Sequence, residues 1–123
     1  RVRLRWEWVT AEFHLYSGRP DEAARHASRA QAVVDAAAGV PVRHRIKTEL
    51  IGAAGVAAAG DVHSARAIAA SCREQSATHG LLPLEWASLS LLAGVGAGDE
   101  VTMQRAAVRD ELIRRGMPFD RRR

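Results

Sequence analysis

Residues 60–72 read GDVHSARAIAASC (Gly60–Cys72). A glycine here can close a helix in the left-handed backbone region that other residues avoid. Asp61 can then cap a second helix by accepting from backbone N–H groups that have no partner in its first turn. Beyond the cap, Ala65, Ile68, Ala69 and Cys72 recur at helical spacing and form one apolar stripe. One helix therefore ends at Gly60 and another begins at once, with small side chains on the side that must be buried. Small side chains bury little area each, so such a helix is held by close approach to its neighbours over many contacts.

The same punctuation stands on either side. Gly18 is followed by RPDEAARHASRA and Gly98 by DEVTMQRAAV. Five residues beyond the three glycines lie Ala23, Ala65 and Met103, and nine beyond lie Ala27, Ala69 and Ala107. Gly18 and Gly60 are 42 positions apart, Gly60 and Gly98 are 38 apart, and Gly39, Gly80 and Gly116 close the three units. Self-similarity at such a period marks stacked supersecondary units. Pro20, Pro41 and Pro83 sit where a helix would start, as proline tolerates a first turn. The stripes run through Ala23, Ala27, Ala30 and Val34, through Ile46, Leu50, Ala53 and Ala57, through Trp86, Ala87 and Leu91, and through Met103, Ala106 and Leu112. The expectation is an all-α chain of six helices, paired as three antiparallel hairpins over 1–39, 40–80 and 81–116. A short basic tail over 117–123 is expected to be disordered.

The motifs GRPDEAARHASRA (Gly18–Ala30), GDVHSARAIAASC (Gly60–Cys72) and GDEVTMQRAAV (Gly98–Val108) resemble the tetratricopeptide repeat, and the likeness covers nearly the whole chain. It implies a right-handed solenoid of stacked hairpins whose first helices line a concave, peptide-gripping surface. It also implies the company of docking and sensor arms in large multidomain regulators. The family repeat is about 34 residues, and both spacings here are longer. The small residue kept midway through the first helix falls on Ala11 and Ala53, but on Leu91 in the third unit. The family's carboxylate clamp of lysine, asparagine and arginine does not carry over, because asparagine is absent and Lys47 is the only lysine.

Composition narrows the functional classes. The chain has 123 residues, 47% of them hydrophobic and many of those alanine, which suits one helical domain. Its net charge is +4, carried by arginine and gathered at the ends in Arg1, Arg3, Arg5 and Arg121–Arg123. The alternative reading is a helical arm of a transcriptional regulator touching nucleic acid through these ends. A basic balance with no stripe to lie in a groove does not make nucleic acid the expected partner. Cys72 is the single cysteine, so no intramolecular disulfide can form. No run approaches the roughly 20 apolar residues of a membrane span, and the cytoplasm is the expected location. His14, His26, His44, His63 and His79 include no pair three or four apart, so no metal site is expected from spacing. The glycines of GVGAGDE (Gly94–Glu100) follow a helix rather than a strand, which argues against a phosphate loop. No enzyme activity, cofactor or metal is expected.

The first helix raises the sharper question. RVRLRWEW (Arg1–Trp8) alternates like a strand, yet Val2, Trp6, Val9, Phe13 and Tyr16 make one helical stripe and Leu4, Trp8, Ala11 and Leu15 a second on the other side. Only a helix accounts for residues 9–16 as well. A helix apolar on two faces belongs between layers, so Trp6 or Trp8 should lie at an interface or stand exposed. A second copy, or a neighbour within a longer polypeptide, would cover it. Arg5, Glu12, Arg45, Glu49 and Glu85 are the groove candidates, with Trp6 and Trp8 beside them. The run RHRIK (Arg43–Lys47) adds a basic group to the second unit's first helix. The expected function is a protein–protein interaction module for a peptide or neighbouring domain, a piece of a larger regulatory or scaffold protein.

Overall fold

The computed structural model describes residues 2–117, apart from the side chain of Val2. Arg1, Arg121–Arg123 and the rest of the expected tail beyond Met117 lie outside the described residues. Six helices follow in order: α1 (Val2–Tyr16), α2 (Pro20–Ala36), α3 (Val42–Ala58), α4 (Val62–Thr78), α5 (Leu82–Gly94) and α6 (Asp99–Arg114). No strand occurs among the described residues, and the opening alternation is helical.

The ends of these helices are set by the residues that punctuate the sequence. The Asp61 carboxylate accepts from the Ser64 amide at 3.1 Å, capping α4. Gly60 takes a positive φ of 101° and donates to the Ala57 carbonyl, while Asp61 N donates to Val56 O. This pair of bonds is the Schellman closure that favours glycine. Gly18 closes α1 with the same two bonds, to Leu15 and His14. In the third unit the closing residue is Gly96, which donates to Ala93 while Ala97 donates to Leu92.

That shift of glycine corrects the expected alignment. Gly98 stands instead at the N-cap of α6, and Asp99 opens the helix without capping it. Counted from Gly96, the residue five further on is Val101, which packs against the core, whereas Met103 is 72% exposed. Ala106 and Ala107 are exposed too, and the inner face of α6 runs through Val101, Val108 and Leu112. The residue that continues Ala11 and Ala53 into α5 is Leu89 rather than Leu91, and all three are fully buried.

Packing joins each helix to the next, and α3 also lies against both α1 and α5. The unit from Gly18 repeats 42 residues on in burial as well as in sequence. Ala23 and Ala65, Ala27 and Ala69, Ala30 and Cys72, and Leu4 and Ile46 are all buried. One larger side chain spans α1 and α3. Trp8 is buried, and its indole N–H donates to Thr48 Oγ1 at 2.8 Å, while the Thr48 hydroxyl donates to the His44 carbonyl at 2.8 Å. The Lys47 ammonium lies 5.3 Å from the centre of the Trp8 ring.

Thr48→Val keeps the volume but leaves the Trp8 indole N–H buried without an acceptor, a loss of roughly 1–3 kcal/mol. Urea unfolding followed by circular dichroism should show that loss at unchanged helicity. A neutral result would show that the indole finds water instead.

Candidate functional site

The first helix of each unit contributes to one cleft of about 440 Å³. Leu15 and Tyr16 of α1, Leu50 and Ile51 of α3, and Leu84 and Leu91 of α5 supply its apolar lining, with Glu12 and Lys47 at the polar edge. Lys47 Nζ is 4.0 Å from Glu12 Oε2, and both side chains are close to half exposed. A pair so open to water holds little energy. The cleft thus combines an apolar floor with one acid and one base.

Along α1 runs a second apolar surface. Trp6, Val9, Phe13 and Tyr16 are 55%, 58%, 57% and 95% exposed, and their spacing of three, four and three puts them in one row. Isolated exposed apolar residues are ordinary, but a row of four on one helix face is not. The fold itself shows what covers such a row. The residues 42 positions on from Trp6, Val9 and Phe13 are Thr48, Ile51 and Gly55, and all three are buried. Thr48 meets Trp8 of α1, Ile51 joins the core formed with Leu4, Ala27 and Ala30, and a Cβ placed on Gly55 would come 3.9 Å from the Ala24 backbone of α2. On α3 this face is sealed by the helix pair before it. On α1 it is open, in line with the exposure expected of Trp6.

The sequence candidates fall on several surfaces. Glu12 edges the cleft. Arg5 borders a separate hollow with Leu4, Trp8, Arg43 and His44. Trp8 is core and hydrogen-bonded within the chain. Glu49 is turned toward α4, where Gln75 Nε2 donates to it at 3.5 Å. Arg45 is exposed, and Glu85 is half-buried in the first turn of α5. Trp6 alone of the seven belongs to the open row. Spacing puts Leu15, Leu50 and Leu91 on apolar stripes, but their convergence on one cleft floor with Leu84 depends on how α1, α3 and α5 stack.

Histidines that are far apart in sequence meet between α1 and α2. One ligand atom each from His14, Glu22 and His26 lies within 4.8 Å of the others. The His14 and His26 rings are stacked with centres 5.4 Å apart. His26 is buried, and its Nδ1 lies 2.7 Å from Oε1 of the equally buried Glu7, which orients the ring. Arg19 Nε donates to His14 Nδ1 at 3.0 Å, and Arg25 pairs with Glu22. Desolvation, followed by the charges of Arg19, His26 and Arg25, holds the His14 imidazole below its ordinary pKa of 6.5.

No protein-family model, curated protein or solved structure matches the chain, so the functional reading rests on its own residues.

Cys72 is fully buried beneath α3, with Sγ 3.9 Å from the Ile46 carbonyl and from Glu49 Oε1. Burial first, then the Glu49 charge, pushes the thiol up to about 12 from an ordinary 9.0. The folded state thus holds the proton that the unfolded chain releases. The thiol's contribution to stability is complete below pH 9 and is lost as pH rises toward 12. Cys72→Ala should flatten the fall of the urea midpoint over that interval. Native protein at pH 8 should react with a thiol reagent only as fast as it unfolds, and rapid labelling would contradict this burial.

Proposed function

We propose that the protein is a protein–protein interaction module, a docking piece of a larger regulatory or scaffold protein. In this reading the six helices form three antiparallel hairpins stacked in the right-handed manner of tetratricopeptide repeats. The first helices present the cleft to a peptide segment, and α1 receives a neighbouring helical domain or a second copy. The observation that carries the reading is the uncovered row of Trp6, Val9, Phe13 and Tyr16, the first three of which have counterparts on α3 (Thr48, Ile51 and Gly55) that are buried by the preceding helix pair. Tyr16 belongs to the row and also lines the cleft, so the two surfaces run together. Apolar anchors with a few polar groups at the edge are the means by which repeat scaffolds hold extended or helical segments. Glu12 and Lys47 would set the direction of such a segment by pairing with its own charges.

Burying one side chain of the Val or Phe class is worth roughly 1.5–3 kcal/mol, so each anchor in the row should matter about tenfold or more in affinity. A photoreactive phenylalanine at position 13, in cells that express the protein, should give discrete protein adducts. Adding Trp6→Ser and Val9→Ser should remove most of them while circular dichroism stays unchanged. The same probe at the exposed His63 should give none. Equal labelling from both positions, or none from position 13, would contradict the reading.

A further inference from the structure

We propose that His14, Glu22 and His26 form a binding site for a divalent transition-metal ion of the zinc type, clipping α1 to α2. Two imidazoles and a carboxylate are a donor set that suits zinc, cobalt(II) or nickel(II) better than the harder magnesium or calcium. Their ligand atoms already converge within 4.8 Å, so small side-chain rotations would bring them onto one ion. The three residues come from two helices, with Glu22 and His26 one turn apart on α2 and His14 facing them from α1.

The second observation is the buried Glu7. A carboxylate that accepts from Nδ1 of a histidine fixes the tautomer and leaves Nε2 free for a metal, the usual outer-shell arrangement around ligating histidines. Glu7 sits 2.7 Å from His26 Nδ1, and both residues are shielded from water. Nothing in the repeat demands this polar set. The positions 42 residues on from His14, Glu22 and His26 are Val56, Ser64 and Ile68. Val56 and Ile68 line one hollow together, so the two positions that hold imidazoles in the first unit hold apolar side chains in the second.

Arg19 and Arg25 occupy the free ends of His14 and Glu22, and an incoming ion would displace them toward solvent. The site therefore discriminates by affinity, since only an ion that binds imidazole strongly can compete. Trp6, 5.4 Å from the His26 ring, gives the site an apolar wall.

Isothermal titration with Zn²⁺, and visible absorption with Co²⁺ as the probe of tetrahedral geometry, test the proposal on the full chain. One-to-one binding and a raised melting temperature are expected. His14→Ala and His26→Ala should each abolish the Co²⁺ bands, and Glu22→Gln should weaken binding. Glu7→Gln, which touches no ion, should cost about 10–100-fold in affinity. His14→Ala is the decisive variant, because His14 is only partly buried and its loss spares the fold. Absence of one-to-one binding by the wild type overturns the proposal. So does equal affinity in His14→Ala, or a loss of binding in His63→Ala matching that in His14→Ala.

Discussion

A helix that is apolar on two faces must be covered twice, and this constraint shapes the whole structure. Alanine lets the covering elements come close. Ala11, Ala27, Ala30, Ala53, Ala65 and Ala69 are all buried, and their small side chains suit close packing. The consequence is a chain of mutual dependence. α3 is sealed by α1 and α2 on one side and by α4 and α5 on the other. Among the described residues α1 has packed neighbours in α2 and α3 only, and Trp6, Val9, Phe13 and Tyr16 of its outer row are left exposed.

Polar groups inside this packing are few, and several are held by specific partners. Trp8 brings an indole N–H into the core and Thr48 accepts from it. Glu49 reaches toward Cys72 and Gln75. Glu7, at the position 42 residues before Glu49, turns to His26 instead. The same backbone position thus carries a carboxylate in both units, with the partner changed from a thiol and an amide to an imidazole. Burying a carboxylate is costly unless it is well paired, so Glu7 ties His26 into a single orientation.

The sequence made the number and class of the helices legible because turn chemistry is local. Gly18, Gly60 and Asp61 act through bonds to nearby residues and Pro20 through its fixed backbone angle at a helix start, and all stand where their chemistry suggests. The third unit was harder, since Gly94, Gly96 and Gly98 are all available and only the bonds to Leu92 and Ala93 pick out Gly96. That choice moved the register by two residues and turned Met103 and Ala106 outward. The two stripes of α1 were readable from spacing, and so was the expectation that one would lack a cover. The clusters that cross between helices were not. His14 and His26 are twelve positions apart, and nothing in a linear pattern says that the α1–α2 turn folds them face to face. Leu15, Leu50 and Leu84 likewise meet only through the stacking of three separate helices.

The open row and the histidine cluster share the same helix, which links their behaviour. An element packed on one side only is held by fewer contacts than α3 or α4, and local opening draws on such elements first. A ligand that bridges His14 on α1 to Glu22 and His26 on α2 would bind the closed arrangement and not the opened one. By mass action it would then raise the free energy of opening α1 in proportion to the logarithm of its concentration. The row that a partner would cover sits on the helix so fixed, with Trp6 against the ring of His26. Ordering α1 with the first ligand would lower the ordering cost met by the second, and the two sites would favour one another without any change in the shape of the remaining helices.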